Sequence, residues 1–387
     1  MIASEKTTRF QKFLKEKNIS SALIFNFVDI FYFTGTIHGN VLYVPAEGES
    51  LLFTRRAVQR TKEEIETGQA VAFSSFKEIK PYLSNLGEKT GFLLDATPAG
   101  LYKKILSDLE IDEKRVYDLS NDLKFFKMVK SPDEIEKIRK AGLIVQNTYE
   151  ELQNSIVPNM TEYEIAIEVE YLLKKNGHLG ENRFRGLNQI GLLTYVLSGA
   201  NISKAAVHDT PYGGTGTAKA MGVGASNRIV REGEVFMVDS VGSFEGYHND
   251  NTRSFIFGEI PPKVLKTYQD LFEIYRFIAD EMKPGSICEA IYLSALEKVK
   301  KMGYENHFMG LGESRVGFIG HGIGIQVDEF PVLTRKFQTV LEPGMTLAIE
   351  PKIFDEEFGG VGIESTFLIT EKGSRILTGL KEDIFQI

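Results

Sequence analysis

Five residues in the second half of the chain have types and settings that suit metal chemistry. Asp239 ends the apolar run Val235-Phe-Met-Val238, and Asp250 lies 11 residues on, just before the returning run Ser254-Phe-Ile256. A carboxylate at the end of a buried run is costly without a partner. Two apolar runs around a glycine-bearing turn read as a β-hairpin or two adjoining strands, which could bring both carboxylates to one point. Aspartates are also common in turns, and from this segment alone that is the simpler account. Three further segments change the balance. Gly317-Phe-Ile-Gly-His321-Gly-Ile-Gly324 sets a histidine between glycines that permit close backbone approach. Thr346-Leu-Ala-Ile-Glu350-Pro351 ends an apolar strand in a glutamate, and Gly360-Val-Gly-Ile-Glu364-Ser-Thr-Phe-Leu-Ile369 holds another inside one. An unpaired carboxylate within a buried strand costs on the order of several kcal/mol. Two divalent cations supply +4 against four carboxylates, with imidazole as the neutral ligand, and resolve that cost better than separate salt bridges. The oxygen-rich set suits Mn²⁺, Co²⁺ or Zn²⁺.

The elements that must position these residues begin far upstream. Residues 1 to about 125 alternate helical and strand patterns. Phe10–Lys17, Arg60–Thr67 and Gly100–Leu109 read as helices. Short apolar runs at 22–25, 41–44 and 51–53 read as strands, and Lys89–Leu94 leads into another. This pattern predicts a small α/β domain over residues 1–128, with no strong chemical motif of its own. Ser131-Pro-Asp-Glu134 then opens a second domain, 129–387, with a capping box and a proline suited to the first helical turn. Ile135, Ile138, Ala141, Ile144 and Val145 keep helical spacing, which predicts a helix to about Gln153. A weak repeat follows. Pro158 to Gly177 and Pro284 to Gly303 share proline, helix and closing glycine at an offset of 126, each after a further helix and before glycine-punctuated strands. The order of elements favours a duplicated helix–helix–sheet half-domain.

Composition narrows the class. The 387 residues are 42% hydrophobic, enough for a sizeable core, and the net charge of −8 argues against a general nucleic-acid binder. The single cysteine, Cys288, excludes an internal disulfide framework; it is expected to pack rather than react. Neither a secretory signal nor a membrane-spanning run is evident, so a cytoplasmic location is expected.

In order and context, Asp239, Asp250, His321, Glu350 and Glu364, with GHGIG, LEPGM-x-x-x-IEP and the spacing of 11, resemble the pita-bread metallopeptidases: Xaa-Pro aminopeptidase, prolidase, methionine aminopeptidase and creatinase. The resemblance covers roughly Lys130 to Thr378, and VKSPDEIEKIRKAG at its start is similar too. The first 125 residues, including Phe33-Thr-Gly35, look like the creatinase/prolidase-type amino-terminal domain, which favours the Xaa-Pro peptidase branch. The resemblance implies an α/β (α+β) protein with a duplicated pita-bread domain and two divalent ions per chain. It implies a shared water as nucleophile on an amide carbonyl and Glu350 as proton relay. His208, in Leu197-Ser-Gly-Ala-Asn-Ile-Ser-Lys-Ala-Ala-Val-His208, would face the substrate across the metals and stabilise its oxygen. By analogy the chain would form a homodimer and act on short peptides, with no nucleic-acid or membrane partner.

Two departures from the family pattern matter. After GHGIGIQV the usual His-Glu is Asp328-Glu329, and the usual Arg-x-Glu-Asp is Gly362-Ile-Glu364-Ser365. An aspartate only accepts hydrogen bonds where the histidine could donate. Asp328 is therefore expected to turn an acceptor toward substrate, and Gly362 to remove a cation and widen the pocket. These changes motivate two alternatives: a hydrolase of a small non-peptide amide or amidine in a creatinase-like pocket, and a non-catalytic binding protein on the same fold. A turnover screen separates the first, and metal content the second. His248 is expected at the surface or behind the ligands, and His38, His178 and His307 in structural roles.

Overall fold

The computed structural model describes residues 3–83 and 86–387. The chain divides into two compact units, Met1–Lys127 and Met128–Ile387. In the first unit, β1 (Ser21–Ile24), β2 (Val41–Pro45), β3 (Leu51–Thr54), β4 (Gln69–Ala72), β5 (Thr90–Phe92) and β6 (Val116–Asp118) form one sheet in the order β4-β3-β2-β1-β5-β6. Strand β2 is antiparallel to β1 and β3, and the other pairs are parallel. The helices are α1 (Ala3–Glu16), α2 (Phe27–Thr34), α3 (Val58–Glu64), α4 (Phe76–Ile79), α5 (Ala99–Leu109) and α6 (Ser120–Lys127). Helices α1, α3 and α5 and strands β1, β2, β3 and β5 fall on the segments expected from periodicity. Helix α2 does not. Most of its residues are buried, so no polar stripe marks the helical period. The Asn26 side chain caps it by accepting from Val28 N at 2.8 Å, and Gly35 closes it at φ 76°.

The second unit is built twice over. Helices α7 (Pro132–Leu152) and α8 (Glu162–Lys175) precede β7 (Thr194–Ser198), the short α9 (Gly199–Ile202), β8 (Val235–Phe244) and β9 (Tyr247–Ile256). Helices α10 (Pro262–Glu281) and α11 (Cys288–Lys301) precede β10 (Phe318–Gly322), β11 (Glu329–Thr334), β12 (Thr346–Ile349), β13 (Lys352–Asp355), β14 (Gly359–Gly362), β15 (Ser365–Thr370) and β16 (Gly373–Ile376), with β17 (Phe385–Gln386) last. One sheet has the order β17-β9-β8-β7 and another β11-β10-β12-β15-β16, while β13 and β14 form a separate hairpin. Helices α8 and α11 start and stop 126 residues apart, from 162 to 288 and from 175 to 301. Both close on a left-handed glycine, Gly177 (φ 104°) and Gly303 (φ 85°). Their starts differ. Thr161 and Glu164 make a capping box, whereas Ile287 has no side-chain acceptor. There the free amides of Cys288 and Glu289 donate to the Thr339 and Phe337 carbonyls instead.

Each helix pair covers its own sheet. Val145 and Val169 pack with Phe236 and Phe255 in one core, and Leu271 and Ala295 belong with Leu347 and Ile369 to the other. Helix α7, opened by the capping box of Ser131 and Glu134, lies almost in backbone contact with the first sheet. A Cβ on Gly242 would fall 2.0 Å from the Ala141 carbonyl oxygen, and one on Gly142 2.8 Å from Asn249 Nδ2. The Tyr149 hydroxyl reaches the carbonyls of Val238 (3.0 Å) and Asn251 (2.9 Å), one on each strand of the β8–β9 pair.

Candidate metal centre

Strands β8 and β9 pair without a break from Val235↔Ile256 to Phe244↔Tyr247. The two residues between them, Glu245 (φ 46°) and Gly246 (φ 81°), are both left-handed, as a tight turn that matches the strand twist requires. In this register Asp239 stands opposite Thr252, and Asp250 opposite Val241. Both carboxylates therefore share one face of the hairpin, which is the structural meaning of their spacing. Both are buried within strands, so neither is a turn aspartate.

The second half of the unit supplies the rest. His321 lies on β10 opposite Ala348 of β12. Its Nδ1 is 3.0 Å from the Gly322 carbonyl oxygen, which can only accept, so in the neutral ring Nδ1 carries the proton and Nε2 offers its lone pair. That Nε2 is 3.6 Å from Glu350 Oε1. Glu350 follows β12 and Glu364 precedes β15; these strands pair through Ile349↔Ser365, which sets the two glutamates side by side. Ligand atoms of Asp250, His321 and Glu364 all lie within 4.8 Å of one another.

This cluster fits a cation. Asp250 Oδ1 is buried with no hydrogen-bond partner. Burial, then the neighbouring Glu364, pushes the Asp239 carboxyl up to about 6. Burial, Glu364 and Asp239 together hold Asp250 well above the usual carboxylate range. Thr252 Oγ1 is shared between Asp239 Oδ2 (2.6 Å) and Glu364 Oε2 (2.7 Å), and the Tyr212 hydroxyl donates to Asp239 Oδ2.

One participant was not expected. Lys352, at the start of β13, is fully buried, with Nζ 2.8 Å from Glu350 Oε2 and 3.2 Å from Glu364 Oε2. Burial opposes its charge, but Glu350, Glu364 and Asp239 outweigh that and raise its pKa above the ordinary lysine value. Its cross-strand partner is Gly362. A Cβ there would meet Lys352 Cγ at 3.1 Å and Met237 Sδ at 2.6 Å. The expectation that Gly362 removes a cation and widens the pocket is thus corrected: the glycine gives room to the lysine stem, and the lysine restores the charge.

A cavity of about 410 Å³ opens over the cluster, and its walls include the five residues above together with His208 and Asp328. His208 Nε2 is 3.0 Å from the Asn188 carbonyl oxygen. Asp328 is arranged differently from the expectation of a free acceptor. Its Oδ1 accepts from Arg185 N at 2.7 Å and its Oδ2 from Gly186 N at 2.9 Å, so both oxygens hold a loop of the cavity wall. Burial raises its pKa and these two amides oppose the rise.

The model of metallopeptidase family M24 matches residues 136–371, and that of the creatinase/prolidase N-terminal domain matches 6–129. The chain belongs to metallopeptidase family M24. The Xaa-Pro dipeptidase of Pyrococcus furiosus is 27% identical to this M24 peptidase over 383 residues, covering 98% of this chain and 99% of that one. The crystal structure of the X-Pro aminopeptidase from Thermotoga maritima superimposes with a TM-score of 0.80 at 26% identity, covering 98% and 99%. The Xaa-Pro dipeptidase from Bacillus anthracis shares the fold over the whole of both chains, with a TM-score of 0.83 at 23% identity. The pita-bread fold and the amino-terminal creatinase-like domain follow, and the chain is a metal-dependent hydrolase of the peptidase class.

The remaining residues of this M24 peptidase sort by their surroundings. His248 is fully buried, not superficial: Arg183 N donates to its Nε2 at 3.3 Å, and burial pushes its pKa down to about 3. Cys288 is packed in the core of the second half, and burial pushes its thiol up to about 12. His178 is held by Val241 O and Gly180 N. No helix among the described residues is long and apolar enough to cross a membrane.

Proposed function

We propose that this M24 peptidase cleaves the amide bond before proline in short peptides, as an Xaa-Pro aminopeptidase or dipeptidase. The observation that carries the reading is the convergence of Asp250, His321 and Glu364 beneath a cavity of about 410 Å³, in a chain whose full-length relatives bear Xaa-Pro peptidase names. Asp239, Asp250, His321, Glu350 and Glu364 are the set that would hold divalent metal, Mn²⁺, Co²⁺ or Zn²⁺. Bound there, such metal activates water and polarises the amide carbonyl. Glu350, beside His321, would take a proton and return it to the departing nitrogen. His208 would meet the substrate oxygen as negative charge develops. Phe184, Tyr195, Phe318 and Phe330 among the cavity's lining offer apolar surface suited to a pyrrolidine ring. The small-amide alternative loses its motive, because the Asp328 oxygens are taken by Arg185 and Gly186. A homodimer is the expected assembly.

The test is a panel of Xaa-Pro dipeptides and longer Xaa-Pro peptides, each beside a control with alanine for proline. The protein is first stripped with chelator and reloaded with each of the three metals. Faster cleavage of the proline peptides is expected only after reloading, and peptide length separates dipeptidase from aminopeptidase. Equal or absent cleavage of the proline peptides under every metal removes the reading.

A further inference from the structure

Lys352 stands where a second cation would stand. Its ammonium lies 2.8 Å from Glu350 Oε2, 3.2 Å from Glu364 Oε2 and 3.9 Å from Asp239 Oδ2, and the Tyr212 ring covers it with its centroid 4.9 Å from Nζ. The compact group of Asp250, His321 and Glu364 does not include Asp239 or Glu350. The carboxylates thus fall into two sets that share only Glu364: one gathered around a lysine, the other around an unfilled demand for charge at Asp250 Oδ1. With all four carboxylates ionised, Lys352 and one divalent ion leave the centre at −1, and Lys352 with two ions would leave it at +1. A divalent ion bound to Asp239 and Glu364 would also have to stand against the ammonium within the same oxygen cage, and the two repel.

We propose that Lys352 is a resident cation in place of the second metal ion. The chain holds one divalent ion, at Asp250, His321 and Glu364, and the ammonium serves Asp239 and Glu350. This rests on the metal-dependent reading of the site and sets its ion count. The arrangement is built into the fold. Lys352 pairs with Gly362 across β13 and β14, and a Cβ at 362 would press on the lysine stem at 3.1 Å and run into Met237 Sδ at 2.6 Å. Glu350 keeps its other oxygen toward His321, so it faces both cations.

The experiment is metal counting. Protein stripped with chelator is equilibrated with excess Mn²⁺, desalted, and analysed for metal and protein. Wild type should retain one ion per chain. Lys352→Gly and Lys352→Met should each retain two, the methionine variant keeping most of the stem's packing if the glycine variant folds poorly. Two retained ions in the wild type overturn the proposal, and so does a count unchanged in folded variants. Peptide hydrolysis on the same samples keeps the two readings apart. A wild type with two ions that cleaves Xaa-Pro peptides removes only the role of the lysine. The expected ion counts without such cleavage remove only the peptidase assignment.

Discussion

The His208 ring faces the cavity with one nitrogen already engaged. A carbonyl only accepts, so the contact with Asn188 puts the proton on Nε2 and leaves Nδ1 of the neutral ring as an acceptor. To stabilise a growing oxyanion the ring must carry both protons or release Asn188. On the peptide best cleaved by the wild type, His208→Ala should keep its metal content and lose kcat by about 10²–10³-fold, the effect of removing one oxyanion donor. A variant with near-normal kcat rejects the role. The candidate ligands were legible because Asp239, Glu350 and Glu364 interrupt or end apolar runs, where an ionised group needs a reason, while Asp250 was marked by its spacing from Asp239 and His321 by its flanking glycines. Lys352 interrupts the run Leu347–Phe354 in the same way and gave the same signal, yet a lysine at a strand start is commonly a solvated residue. Its burial could have been argued from the surplus of carboxylates around it. Thr252 and Tyr212 gave no such signal, since a hydroxyl in a strand or loop is ordinary.

At the scale of elements, Asp328 acts as a clamp between the segment before β11 and the loop at 184–186, where Phe184 and Gly186 line the cavity. Asp328→Ala removes the acceptor of a partly buried amide at Arg185 and of an exposed one at Gly186, which costs about 1–3 kcal/mol. Because the loop shapes the wall and not the metal cluster, KM should rise more than kcat falls. Asp328→His should leave the rank order of peptides unchanged, against the expectation from polarity alone. Steady-state kinetics on one peptide panel check both, and a change of rank order would restore the substrate-facing role. The β8–β9 hairpin could be read from sequence because its partners are local and their separation fits a two-residue turn. The pairing of Lys352 with Gly362 could not. It depends on which residues of β13 and β14 face each other, and their separate apolar patterns leave that register open. Helix α2 was hidden for a different reason: burial on nearly every side erases the period by which a surface helix is recognised.

On the scale of the whole chain, every candidate ligand belongs to Met128–Ile387. Metal binding should therefore stabilise that unit alone. At a free metal concentration one hundred times Kd the gain is about 2.7 kcal/mol. Hydrogen exchange with and without Mn²⁺ should show added protection within residues 128–387, none within 3–127, and no gain in Asp250→Ala. Protection spread equally over both units would contradict this. The duplication has a further consequence for biosynthesis. Asp239 and Asp250 come from the first half of the unit, and His321, Glu350 and Glu364 from the second. At roughly 5–20 residues per second, translation separates the first ligand from the last by about 6–25 s. A nascent chain thus carries an acidic hairpin long before it carries a metal site, and it has no peptidase to turn on its neighbours during that time. Lys352 emerges only 12 residues before Glu364, so the counter-charge is delivered by the ribosome together with the carboxylate that completes the centre. The hairpin can then close in a cell momentarily short of metal.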